Sequence, residues 1–408
     1  MLGIFSSVGS PGGLGSRSAA RVAVLALTLT LAFTALTLRA PATAWAGTAN
    51  AGLASAAGST NPIADLTWGY YKGTLDGVYP AYQQAHGAAR RALAEVALRP
   101  EAYWFGGWNP NPRGAAEDYI AHVEQGHRDQ LVQLSDFSIA PWENKSCATP
   151  QGPGQVAANE QWNAQFAAGI GDTRALVVLE PDLGVVMSPC MTAADQAAVY
   201  TEMNYAVGAL NALPYTTVYI DAGSSDWLSV TAATQMLIKA GIKGARGFSL
   251  NATHFDSNQH EILYGQQIVR ALAARGVGNV HFIIDTAENG SPFTHQAYTK
   301  AGQNTRIWAS RPACVKGRKI PFCQTFGIPP TWQTGLPQWR LGRRYSTIAN
   351  NLVDGYVWFG RPWMQGQSSP FDPTLTKAMA ASTPFPFTSF PEPTSWWSYP
   401  QAGQEPVS

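Results

Sequence analysis

Four short apolar segments of this chain run directly into residues that can do chemistry. Ala175–Leu179 (ALVVL) is followed by Glu180-Pro181-Asp182, Thr217–Ile220 (TVYI) by Asp221-Ala222-Gly223, Gly247–Leu250 (GFSL) by Asn251, and His281–Ile284 (HFII) by Asp285. A single carboxylate after a strand is ordinarily a helix N-cap or one half of a loop ion pair. Several at the same strand end, in a chain with 14 Trp, suit the cleavage of sugars. One carboxylic acid protonates the departing glycosidic oxygen while indole faces stack on pyranose rings. Other chemistries lack their residues. The 7 His contain no HExxH, and no CxxC or Cys/His cluster has zinc spacing, so no metal is expected. No glycine fingerprint follows the first strand and no GxSxG elbow is present, so no dinucleotide cofactor and no serine nucleophile are expected.

The elements that must position these residues can be read from hydrophobic patterning. Ala102–Gly107, Leu131–Ala140, Ala175–Leu179, Thr217–Ile220, Gly247–Leu250, His281–Ile284 and Val353–Phe359 read as buried strands. Between them Ala115–Gln125, Gln155–Ala168, Ala193–Ala212, Ala232–Ala240 and Glu261–Arg275 repeat apolar residues every three or four positions, as amphipathic helices do. Strand–helix alternation of this kind predicts an α/β fold with a parallel sheet, closed into a (β/α) barrel, with an open doubly wound sheet as the alternative. In a barrel the carboxylates would gather on the C-terminal rim.

Composition sets the compartment and partners. The 408 residues carry 27 Lys+Arg against 26 Asp+Glu and are only 13% charged, which argues against a nucleic-acid partner. Arg17 and Arg21 precede the apolar run Val22–Leu38, which ends at Ala44-Trp45-Ala46. That order predicts a secretory signal over residues 1–46, cleaved after Ala46, with a retained anchor as the alternative. A small-residue linker (47–62), one catalytic-sized domain (63–387) and a Pro/Trp-rich tail (388–408) with Trp396 and Trp397 follow. The mature protein is expected to be extracellular, monomeric, without stable membrane insertion, and partnered by a polysaccharide. Its 4 Cys predict two disulfides among Cys147, Cys190, Cys314 and Cys323, with three pairings open. Asn144-Lys145-Ser146 and Asn251-Ala252-Thr253 have the form of glycosylation acceptors, and Arg340, Arg343 and Arg344 read as a solvated helix face.

Taken in order, Leu179-Glu180-Pro181-Asp182, Val218-Tyr219-Ile220-Asp221-Ala222-Gly223 with Trp227-Leu228, Gly247-Phe248-Ser249-Leu250-Asn251, and Ile284-Asp285-Thr286-Ala287-Glu288-Asn289-Gly290 resemble the successive motifs of glycoside hydrolase family 6, which contains cellobiohydrolases and endoglucanases. The resemblance runs from about residue 66 to 385. It implies a distorted seven-stranded parallel (β/α) TIM-like barrel that cuts β-1,4-glucosidic bonds with inversion. It also implies Asp182 as general acid, with Asp221 beside it keeping its pKa high. Trp104 and Trp227 would be the stacking tryptophans on the glycone and aglycone sides, and Asn251 a polar substrate contact. Cys147–Cys190 matches the family's first bridge. The partner of the second is missing, and Cys314 stands near enough to Cys323 to replace it locally.

The departures are concentrated. Ser146 replaces an Asp that raises the acid's pKa and relays a proton. Trp358-Phe359-Gly360-Arg361-Pro362-Trp363-Met364-Gln365-Gly366-Gln367 replaces a motif rich in Lys, Glu and Asp, so that Arg361 and Gln365 stand at substrate contacts and Gln367 stands for the proposed base. Glu288 replaces an Arg at the substrate site, and Phe322 replaces a Trp. Two readings follow. One is an active hydrolase using Glu288, Asp226, Glu143 or a water chain as base, on β-1,4-glucan or another cell-wall polysaccharide. The other is a carbohydrate-binding protein without turnover.

Overall fold

The computed structural model describes residues 61–139, 152–305, 311–368 and 370–385. The expected signal segment, nearly all of the linker, Glu143, Ser146, Cys147 and the tail tryptophans lie outside the described residues.

The seven expected strands are all present, as β2 (Tyr103–Gly106), β3 (Gln130–Phe137), β4 (Ala175–Leu179), β5 (Thr216–Asp221), β6 (Gly247–Leu250), β7 (His281–Asp285) and β8 (Val353–Val357). Each pairs in parallel with the next, in strictly consecutive order. A doubly wound sheet reverses its strand order at a switch point, and this one never does. β1 (Thr67–Trp68) pairs with the first two residues of β3 and is too short to leave a pattern in the sequence. Among the described residues β8 and β2 form no ladder. The seam between them is held by the Ala102 N–H donating to the Trp358 carbonyl at 2.8 Å and the Trp104 indole N–H donating to the Phe359 carbonyl at 2.6 Å. The barrel is therefore curled but incompletely sealed, as the distorted fold predicts.

Alternation along the strands separates lumen from outer layer. In β4, Ala175, Val177 and Leu179 join the core beneath the helices, whereas Leu176 and Val178 pack inward with Trp68, Tyr219, Ile283 and Val357. The helices are α1 (Val78–Gln84), α2 (Gly87–Ala97), α3 (Pro112–Glu124), α4 (Pro153–Ile170), α5 (Ala193–Asn211), α6 (Val230–Lys239), α7 (Asn258–Ala273), α8 (His295–Lys300), α9 (Arg343–Leu352) and α10 (Pro373–Ser382). The sequence signals α3 to α7. Of these, α3, α5, α6 and α7 start at Asn111, Thr192, Ser229 and Ser257, whose side chains accept first-turn N–H groups. It misses α1, α2, α8, α9 and α10, of which α1, α2 and α9 lack a side-chain cap and α8 has only 6 residues. Arg343 and Arg344 open α9 and are exposed, as expected. None of the described helices is long and apolar enough to cross a membrane.

At the N-terminal end of the barrel Asp354 of β8 ties strands together. It meets Arg246 Nε at 2.7 Å and Nη2 at 3.0 Å, His281 Nδ1 at 3.0 Å, and the Tyr219 hydroxyl at 2.8 Å. Cys314 and Cys323 form a disulfide with Cα atoms 4.8 Å apart. Cys190 is also disulfide-bonded, and its expected partner, Cys147, lies outside the described residues. Phe322, beside the Cys314–Cys323 bridge, packs edge-on against Phe293 and Tyr298.

Candidate active site

The loop after β4 is built under strain. Glu180 and Asp182 both take positive φ, 53° and 69°, a region that residues with a Cβ seldom occupy. Glu180 is buried, and its Oε1 accepts the N–H groups of Ser138 at 2.8 Å and Ile139 at 2.9 Å, fixing the exit of β3. Burial, and then the Asp136 charge, holds its carboxyl well above the usual range. Asp182 precedes the 3-10 turn Leu183–Met187 but makes no capping bond with its side chain. Its Oδ1 instead accepts the Thr253 hydroxyl at 3.2 Å, and the residue is 7% exposed.

Asp221 ends β5 and is fully buried. Its Oδ1 accepts the Gly223 N–H at 2.9 Å, its Oδ2 accepts the Ser249 hydroxyl at 3.3 Å, and the Asp182 N–H also donates to this carboxyl. Burial pushes its pKa up to about 8, against those hydrogen bonds and with a small contribution from Asp285. The two carboxyls are thus neighbours, joined through the Asp182 backbone, with burial as the main cause of the upward shift at Asp221.

The opposite wall is formed by the ends of β7 and β8. Asp285 accepts the Ala287 N–H at 2.8 Å and also the Gly360 N–H, and burial raises its pKa to about 7. A Cβ on Gly360 would lie 2.8 Å from Asp285 Oδ2 and 3.4 Å from Glu288 Oε1, so only glycine lets the chain approach both carboxyls. Glu288 is buried, and its Oε1 and Oε2 accept from the Gln367 amide at 2.9 and 3.1 Å. The Gln367 Oε1 in turn accepts the Arg361 N–H at 3.0 Å. Burial and the Asp285 charge hold Glu288 well above the usual carboxylate range, opposed by Gln367. The two departures at 288 and 367 are therefore one contact. The Arg361 guanidinium lies 4.3 Å above the Trp104 ring, which is 4% exposed. Gln365 opens the 3-10 turn Gln365–Gln367.

On the remaining side Trp227, 37% exposed, stacks against His254 with ring centres 5.6 Å apart and planes within 10°. It also covers Gly184, where a Cβ would fall 2.9 Å from the indole. Asp226 is buried, meets His254 Nδ1 at 2.7 Å and accepts the His295 N–H at 2.6 Å. Burial would raise its pKa, but the His254 bond and charge outweigh that and hold it at about 2. Asn251 is 1% exposed; its amide donates to the Asp285 carbonyl at 3.0 Å and accepts the Asp256 N–H at 3.3 Å, so this side chain ties the loop after β6 to the end of β7.

The structure thus gathers Asp182 with Asp221, Glu288 with Gln367, and Arg361 with Trp104. Thr253 and His254 escape the sequence reading, although Asn251-Ala252-Thr253-His254 follows the strand just where a barrel rim begins. Among the described residues no group of three His, Cys, Asp or Glu side chains is placed to hold a metal ion.

A parallel β/α barrel with buried carboxylates and tryptophans on its C-terminal rim defines the class, a carbohydrate-active barrel of the glycoside hydrolase type. Residues 67–398 match Glycosyl hydrolases family 6, and the chain belongs to that family. It is similar to Endoglucanase A of Cellulomonas fimi (33% identical over 230 residues, 55% of this chain and 47% of that protein) and to Endoglucanase 1 of Streptomyces halstedii (33% over 217 residues, 52% and 66%). These alignments therefore span about half to two thirds of the relatives' lengths. The endoglucanase Cel6 from Mycobacterium tuberculosis shares the fold with a TM-score of 0.61 at 24% identity, over 78% of this chain and 98% of that one. The Orpinomyces sp. Y102 enzyme does so with 0.60 at 17%, over 81% and 100%.

Proposed function

We propose that the mature chain is a secreted, monomeric hydrolase that cuts β-1,4-linked glucan with inversion, Asp182 serving as general acid. The observation that carries this reading is the Asp182 carboxyl itself. It sits on a strained backbone at the end of β4, is not used as a helix cap, and neighbours a buried carboxyl that anchors its N–H. A group held in this way can deliver a proton to the departing glycosidic oxygen while water attacks the opposite face of the sugar. Family membership and relatives named endoglucanases support the substrate class.

The base side is assigned to Glu288. Where the family resemblance implies Arg and Asp, this chain has Glu288 and Gln367 in direct contact, so the carboxyl has crossed one hydrogen bond and has not been lost. Buried and shifted upward, Glu288 must ionise before it can take a proton from water, so turnover should rise with pH until it does. Asn251 supports the rim, Trp227 offers the aglycone platform, and Trp104 with Arg361 closes the glycone end. Gln367, an amide where the resemblance implies the base carboxylate, favours a second reading, binding without turnover.

A panel of polysaccharides, with reducing ends and product anomers followed by NMR, decides between them. Release of α-anomeric product from a β-glucan supports the proposal, and retention of configuration or absence of any product refutes it. Glu288→Gln should lower kcat by roughly 10² if Glu288 is the base. A kcat within twofold of the parent removes it from that role.

A further inference from the structure

Thr253 occupies a backbone conformation that its side chain opposes. It is β-branched, yet φ is 54°, and Asn251 two residues earlier is at 71°; for a β-branched residue a positive φ is a true outlier. The conformation is enforced from both sides. Before Thr253, the Asn251 N–H donates to the Gly223 carbonyl at 2.8 Å and the Asn251 amide to the Asp285 carbonyl at 3.0 Å. After it, His254 is gripped by Asp226 and stacked on Trp227. Phe255 follows, stacked on Phe293 with centres 4.7 Å apart while its carbonyl accepts the Phe293 N–H at 2.9 Å. Strain that the surroundings over-determine in this way is found where a site needs a group aimed. What is aimed here is the Thr253 hydroxyl, which donates to Asp182 Oδ1 at 3.2 Å.

We propose that Thr253 is a positioning residue for the general acid: the strained loop after β6, locked by the Asp226–His254 pair, holds the Thr253 hydroxyl on the Asp182 carboxyl and orients its proton toward the leaving oxygen. The proposal rests on the reading of Asp182 as acid. A hydroxyl at 3.2 Å fixes one carboxyl oxygen, and it stabilises the carboxylate once the proton has gone.

Three variants of the full mature chain test it: Thr253→Gly, Thr253→Val and Thr253→Ser. Glycine accepts positive φ freely, so Thr253→Gly should raise the thermal midpoint by about 2–4 °C. It should also lower kcat on an unactivated cello-oligosaccharide roughly 10-fold or more with KM little changed. On a dinitrophenyl cellobioside, whose leaving group needs no protonation, kcat should stay within about threefold. Thr253→Val keeps the strain and loses the hydroxyl, so it should share the kinetic loss without the gain in midpoint. Thr253→Ser restores the donor and should recover most of the rate. Equal losses on both substrates, or unimpaired turnover of the unactivated one in Thr253→Gly and Thr253→Val, overturn the proposal while leaving Asp182 as acid. A parent enzyme that hydrolyses neither substrate overturns the reading beneath it, and this proposal with it.

Discussion

At the N-terminal end of the barrel Asp354 is buried against Arg246, His281 and Tyr219, whereas at the C-terminal rim Asp221, Asp285 and Glu288 are buried with amides, hydroxyls and backbone N–H groups as their partners. Burial opposes charge at both ends. At the bottom the hydrogen bonds and charges of His281 and Arg246 outweigh it, and Asp354 is held below the usual value. At the rim burial wins, and Asp221 is pushed up to about 8 and Asp285 to about 7. The difference separates stability from chemistry within one fold. A charge-balanced carboxylate joins strands, while a carboxyl whose pKa is raised toward neutrality can give a proton, or take one once it has ionised.

The sharpest way to break the comparison is Asp182→Asn. Turnover of an unactivated polysaccharide should fall by a factor of roughly 10² to 10⁴, with stability changed by about 1 kcal/mol or less because no capping bond is lost. Steady-state kinetics beside a denaturation curve measure both, and a folded variant that keeps the parent rate ends the assignment.

Asp354→Asn should do the reverse. It leaves the partly buried Arg246 without its counter-charge, at a cost of about 3–5 kcal/mol in urea unfolding, with kcat per folded molecule retained. A milder loss of about 2–3 kcal/mol is expected on opening the Cys314–Cys323 bridge by Cys314→Ser with Cys323→Ser, since the loop it closes is short. Unchanged urea midpoints would contradict either estimate.

The finest test uses pH. Asp354 has a depressed folded pKa, so its contribution is present above its unfolded value near 3.8 and is lost as pH falls through the folded one. Asp221 has a raised folded pKa, so its contribution is full below about 3.8 and is lost as pH rises toward about 8. The parent should therefore lose stability between pH 5 and 8 with a slope that Asp221→Asn reduces by up to about 1.4 kcal/mol per pH unit. Identical slopes in parent and variant would show that Asp221 does not titrate in that window.

The strands, five of the helices and the carboxylates at the strand ends were legible in the sequence because each is encoded within a dozen neighbouring residues. A short apolar run followed at once by Asp or Glu is a local pattern, and consecutive βα units order themselves along the sheet. Asp182, Asp221 and Asp285 could be singled out in that way, and Glu288 through the family resemblance. What the sequence could not decide were their partners. Glu288 and Gln367 are 79 positions apart and Asp354 and Arg246 are 108 apart, so two substitutions that look like separate losses become one hydrogen bond only once β7 and β8 lie side by side. Thr253 reaches Asp182 across 71 positions, and no propensity favours a β-branched residue at positive φ. That conformation exists because contacts on both sides of it hold the backbone there, and such contacts are made only by the folded barrel.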